Sequence, residues 1–113
     1  MHLYSHPDCV SHQTPEGHPE RSERLSFLLE RLEQTGFTQD YPLLAAPPID
    51  EDLIALAHHP ELVNRLRQSV PRQGLTPLDP DTWMGPASLS GAFQAAGSVW
   101  QGVNDVTQSE TNR

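Results

Sequence analysis

Apolar residues fall along this chain in a few distinct rhythms, and each rhythm predicts an element. Between Glu20 and Glu33, Leu25, Leu28, Leu29 and Leu32 recur at helical spacing, while Glu20, Glu23, Arg24, Glu30, Arg31 and Glu33 take the other positions. That period belongs to an amphipathic helix with one stripe facing a core. Pro19 suits its first turn, where a missing N–H costs nothing, and Gly36 suits its C-terminal cap after Gln34-Thr35. A longer stripe follows Pro86, with Leu89, Ala92, Phe93, Ala96, Val99, Trp100 and Val103 on one face. Gly91, Ala95, Gly97 and Ser98 in the same stretch would let a neighbour pack closely. Between these helices, Asp50 can cap a short helix through Leu53, Ile54, Leu56 and Ala57, and Pro60 opens another carrying Leu62, Val63 and Leu66.

Two apolar runs are too short for helices. Met1–Ser5, with Leu3 and Tyr4, reads as a strand ending in the turn His6-Pro7-Asp8. Tyr41–Ala46, before Pro47-Pro48, is compatible with a second strand buried on both faces. Cys9–His18 is polar and reads as a loop. Ser69–Trp83 holds Pro71, Gly74, Pro77 and Pro80, so it reads as a long loop of the kind reserved for binding or gating. The order of elements gives an α/β fold class, mostly helical, with two short strands that cannot make an independent sheet. Residues 1–106 form one unit in this reading. Thr107–Arg113 has no apolar anchor and is expected to be a disordered tail or linker.

Composition narrows the function classes. Seven arginines and no lysine oppose fifteen acidic residues, for a net charge of −8. Nucleic-acid binding needs a cationic face, so it is not expected. An acidic surface serves solubility first and can also attract cationic small molecules. Hydrophobic residues make up 35 % and eleven prolines interrupt the chain, so a self-standing core would be thin. No stretch reaches the roughly 20 apolar residues of a membrane-spanning helix, and no secretory signal opens the chain. Cys9 is alone and cannot form an internal disulfide, so the expected compartment is cytoplasmic.

Several side chains could carry chemistry. His6, Cys9, His12 and His18 fall close together in one loop-rich stretch, and imidazoles with a thiolate suit zinc. The order matches no established finger spacing, and polar loop residues capping turns explain the same positions. His58 and His59 lie at a helix junction, where an imidazole bonded to backbone is the common outcome. No Gly-x-Ser-x-Gly elbow is present, Cys9 has no base partner defined by sequence, and Gly85, Gly91, Gly97 and Gly102 form neither a Walker loop nor a Rossmann fingerprint. Asp50, Glu51 and Asp52 suit helix capping. Asp81 differs, because it ends a Pro-rich loop just before the long helix. A carboxylate there can accept backbone N–H bonds from a bound chain, or cap its own loop.

Four segments together resemble a known family. His18-Pro19-Glu20-Arg21-Ser22-Glu23-Arg24-Leu25 resembles the His-Pro-Glu-Arg-Pro-x-Arg-Leu block of bacterial histone deacetylase-like zinc amidohydrolases, of the acetoin-utilisation and acetylpolyamine-hydrolase type. His58-His59-Pro60-Glu61-Leu62-Val63 is similar to the family's Val-His-Asp-Pro-Glu-Tyr-Val block. Leu78-Asp79-Pro80-Asp81-Thr82, followed by the helix from Ser88 to Val103, is similar to its Asp-x-Asp-Thr loop and the helix after it. The blocks occur in the family's order and span nearly the whole chain. Ser22 stands where the family has proline, and His59 where it has aspartate.

The resemblance implies the N-terminal part of an arginase/deacetylase-like parallel-sheet fold. It also implies hydrolysis of acetyl-lysine or acetylpolyamine amides, with zinc as cofactor of the complete enzyme and an acetylated amine as its partner. Asp81 matches the aspartate that holds the substrate backbone at the pocket rim. Arg21 matches the arginine near the internal channel through which acetate leaves. The family's Arg-Pro-Pro-Gly-His-His segment, with its catalytic histidine pair, is expected a few residues beyond Asn112-Arg113, and its zinc ligands later still. No zinc is therefore expected on this chain, and no catalytic residue or metal ligand within it. Two other readings stay open: a non-catalytic helical interaction module associating through the apolar stripe from Leu89 to Val103, and a His/Cys zinc-binding loop protein.

Overall fold

The computed structural model describes residues 1–108. Its elements run β1 (Leu3–Tyr4), α1 (Pro7–Val10), α2 (Glu23–Gln34), α3 (Phe37–Asp40), β2 (Leu43–Leu44), α4 (Glu51–Ala55), α5 (Glu61–Ser69), β3 (Thr76–Asp79), β4 (Thr82–Met84) and α6 (Ser88–Gln108). β1 and β2 pair in parallel, with Leu3 opposite Leu43 and Tyr4 opposite Leu44. A parallel pair must be joined by a crossover, and α1 to α3 provide it. The architecture is α/β, as the order of apolar runs predicts.

The second strand is not buried on both faces. Leu43 and Leu44 are 43 % and 37 % exposed, because β1 is its one partner among the described residues and no layer covers it. The segment expected as a long loop is also more ordered. Thr76–Asp79 and Thr82–Met84 form an antiparallel hairpin, with an irregularity between Pro77 and Asp79. Prolines hide a hairpin from a reading of periodicity, since a residue without an N–H breaks the ladder and forces such an irregularity.

α2 begins at Glu23 and not at Pro19. The Glu20 carbonyl, which would accept the Arg24 N–H in such a helix, is taken by the Thr14 hydroxyl at 2.5 Å and lies 3.0 Å from the His18 ring, and the Arg24 N–H bonds to the Arg21 carbonyl instead. At the other end Gly36 takes φ +74°, a left-handed conformation that closes the helix as expected, and α3 starts directly after it. Asp50 caps α4, accepting the Asp52 N–H at 3.0 Å. The polar stretch after Pro7 is partly helical, with the His6 ring accepting the Asp8 N–H at 3.2 Å as N-cap of α1. The expected tail is helical through Thr107 and Gln108, and the rest of it lies outside the described residues.

α6 organises the molecule, but not through the whole stripe that its periodicity marks. Its closest packing is made by glycines. A Cβ at Gly91 would lie 2.9 Å from the Asp8 carbonyl oxygen, and one at Gly97 would lie 2.8 Å from the Ile49 nitrogen. The Ile49 N–H also donates to the Phe93 carbonyl at 3.0 Å, tying the Pro47-Pro48 connection onto the helix. Leu89, Phe93 and Ala96 turn toward α4 and α5 around a hollow of ≈ 300 Å³. Val99, Trp100 and Val103 remain exposed. Among the described residues the buried apolar side chains are Ala46, Val63 and Met84.

Candidate functional site

The two motif segments of the sequence meet in space. The first is the turn ahead of α2, where Gly17 to Glu20 are held by local bonds: the Thr14 hydroxyl donates to the Glu20 carbonyl, and the His18 Nδ1 lies 3.0 Å from that oxygen and 3.1 Å from the Glu20 nitrogen. The second is the β3–β4 turn. There the Asp79 carboxylate accepts the Asp81 N–H at 2.8 Å, an Asx turn that folds the chain back on itself. This bond, followed by one from the Thr82 hydroxyl, holds the Asp79 carboxyl below its usual range.

Between the two segments, the His18 Nε2 lies 3.2 Å from Asp81 Oδ1. The His18 ring is mostly enclosed, at 16 % exposure, whereas the Asp81 side chain is 92 % exposed. The carboxylate thus projects into solvent from a fixed base. The His18 pKa is raised above its ordinary value, mainly because the Glu20 carbonyl accepts from the ring, with Asp81 adding to it against the opposing effect of burial.

Beside this contact lies a hollow of ≈ 390 Å³, bordered by Thr14, Glu16, His18, Arg21, Glu23 and Leu75 among others. Arg21 is therefore placed next to the turn that carries His18. Its guanidinium makes no ion pair among the described residues, while neighbouring Arg24 pairs with Glu20 at 2.6 Å. Asp81 and Arg21 are thus on the same side of the molecule, at the turn and at the hollow respectively.

The four candidate metal ligands are not brought together. His6 caps α1, the Cys9 thiol lies 3.6 Å from the Gly91 carbonyl oxygen, His12 Nδ1 lies 2.7 Å from the Ser88 hydroxyl, and His18 faces Glu20 and Asp81. Among the described residues no three His, Cys, Asp or Glu side chains gather as a metal site. Zinc needs about four converging donors, so the residues described here do not fit it. The His59 ring accepts the Glu61 N–H at 3.3 Å just ahead of α5, whose N-cap is Pro60, and His58 lies in the connection between α4 and α5, beside the hollow against α6. Both histidines serve the helix junction.

The sequence singled out Asp81 but not its partner. His18 stood in the motif as a possible metal ligand, and only the fold, which joins positions 63 residues apart, pairs it with Asp81. A second polar cluster was also missed. Asp105 of α6 receives the Tyr4 hydroxyl, the Gln101 side-chain amide at 2.7 Å and the His2 ring at 2.7 Å. That Asp105 is the one charged residue of α6 was the available signal.

Residues 18–113 match the family model for the histone deacetylase domain. Among solved structures, the crystal structure of the HDA15 HD domain superposes with a TM-score of 0.83 at 21 % sequence identity, covering 95 % of this chain. The match takes in 32 % of the HDA15 chain, so this chain spans about a third of that relative. No curated protein matches the chain significantly.

Proposed function

Because the chain belongs to the histone deacetylase family, we propose that it supplies the substrate rim of a zinc-dependent amide hydrolase acting on acetyl-lysine or acetylpolyamine groups. The observation that carries this reading is the meeting of the two motif segments at His18 and Asp81, with the Asp81 carboxylate anchored at its base and open to solvent. A carboxylate so placed can accept N–H bonds from the backbone of an acetylated peptide or from the amine chain of a polyamine. Arg21, bordering the hollow beside it, is the residue for the acetate side. The net charge of −8 favours cationic substrates of this kind.

The catalytic centre belongs, in this proposal, to sequence other than residues 1–108, whose donors do not converge. Two experiments test it. Mixing this chain with zinc and a fluorogenic acetyl-lysine substrate gives no turnover, and measurable hydrolysis contradicts the proposal. In the full-length enzyme, Asp81→Ala raises KM for an acetylated peptide roughly 10- to 100-fold, the worth of one or two hydrogen bonds to a charged acceptor. An unchanged KM removes Asp81 from substrate binding.

A second reading, a helical interaction module, is favoured by one observation: Val99, Trp100, Val103 and Val106 are exposed together along α6. Such a stripe favours association. Hydrogen exchange along α6 in the full-length enzyme separates the two, since a stripe covered by the rest of the chain disfavours the module and one left open to a partner supports it.

A further inference from the structure

Which proton the His18 ring carries decides what it can do for Asp81. A neutral imidazole has one donor nitrogen and one acceptor, and the protonated ring has two donors. Nδ1 faces both polar groups of one residue, the Glu20 carbonyl oxygen at 3.0 Å and the Glu20 nitrogen at 3.1 Å. Nε2 faces Asp81 Oδ1 at 3.2 Å, and a carboxylate can only accept.

Consider the three states of the ring against these partners. In the protonated ring, Nδ1–H donates to the Glu20 carbonyl and Nε2–H donates to Asp81. In the neutral ring with the proton on Nε2, Nδ1 accepts from the Glu20 N–H and the bond to Asp81 persists. In the neutral ring with the proton on Nδ1, the donation to the Glu20 carbonyl is kept, but the Asp81 bond is lost and two lone pairs face each other. A bond to an ionised carboxylate is stronger than one to a neutral carbonyl, so the surroundings favour the two states that keep the hold on Asp81. Glu20 changes role between acceptor and donor without moving.

We propose that His18 is the positioning residue of the rim: its Nε2–H holds one oxygen of Asp81 in both the neutral and the protonated ring, leaving the other oxygen for the substrate. This rests on the rim reading of Asp81 given above. The charged groups around the ring are Asp81 and Asp79 on the hairpin, Glu20 on its own turn, and Glu16, Arg21 and Glu23 around the adjoining hollow. Arg24 pairs with Glu20 at 2.6 Å, so Asp81 is the carboxylate that acts on the ring, and after the Glu20 carbonyl it favours the protonated form, in the direction in which the His18 pKa moves. The Asp81 carboxylate makes no second hydrogen bond or ion pair among the described residues, so without His18 none of these holds its orientation.

The inference is tested first without any substrate. In this chain, long-range ¹H–¹⁵N NMR of the imidazole, recorded above the His18 titration, is expected to show the proton on Nε2. Asp81→Ala is expected to raise the Nδ1–H population, and Asp81→Asn to lower the His18 pKa. A ring that is already mostly Nδ1–H, or one that ignores both substitutions, overturns the proposal whether or not the protein is a deacetylase. The second test uses the full-length enzyme. His18→Ala is expected to raise KM several-fold with kcat nearly unchanged. His18→Gln, whose amide N–H can reach the same oxygen, is expected to recover part of the loss. If Asp81→Ala raises KM and His18→Ala does not, the rim reading stands and the positioning role fails.

Discussion

At the scale of single residues, the chain is tied together by a few polar contacts between distant positions. Asp105 is the clearest. Bonds from the Tyr4 hydroxyl, then from His2 and Gln101, hold its carboxyl at about 2. A carboxyl lowered on folding contributes stability that is present above its unfolded value, here 3.8, and is lost as pH falls through about 2. The same bond raises the Tyr4 pKa, so the phenol's contribution is present below pH 10 and is lost as pH rises through the folded value. Thermal melts from pH 2 to 7 are therefore expected to show wild type above Asp105→Asn near neutrality, with the gap closing toward pH 2. A gap that is constant across that range contradicts the contact. The sequence shows Asp105 as the one charged residue of α6, yet it cannot name Tyr4 as partner. That pairing depends on β1 lying along α6.

At the scale of elements, close packing by glycine distinguishes positions that periodicity treats alike. Gly97 and Gly102 both lie in α6, and the sequence offers no reason to separate them. In the fold, a Cβ at Gly97 meets the Pro47–Ile49 backbone, whereas one at Gly102 meets nothing within 4 Å. Gly97→Ala is expected to destabilise by about 1–3 kcal/mol through overpacking against backbone that cannot give way. Gly102→Ala is expected to stabilise by about 0.5–1 kcal/mol, since alanine is the better helix former. Denaturant unfolding of the two variants checks both signs, and equal effects would contradict this account of the helix. The helices α2 and α6 were legible because several turns display a repeat of 3.6, whereas α1 and α3, at four residues each, are too short to show one. The hairpin at Thr76–Met84 was not legible either, because its prolines and two-residue turn carry no period long enough to read.

At the scale of the whole molecule, surface is left uncovered. The accessible area is 8252 Å², against about 6,200 Å² for a typical folded monomer of this mass. Phe27, Leu28, Leu43, Leu44, Val99, Trp100 and Val106 all contribute to the excess. Isolated chain at rising concentration is expected to self-associate in light scattering, and replacing Trp100 and Val103 with polar residues is expected to reduce it. A chain that stays monomeric at high concentration argues that this surface is not sticky. The sequence by itself determined the helices α2, α4, α5 and α6, the caps at Gly36 and Asp50, the α/β order and the family, since these depend on local period, local capping and short motifs. Tertiary structure decided which half of the α6 stripe is covered, that four zinc-like side chains stay apart, and that His18 meets Asp81. Those outcomes depend on contacts between residues distant in the chain, and no local pattern encodes which distant partner a side chain will find.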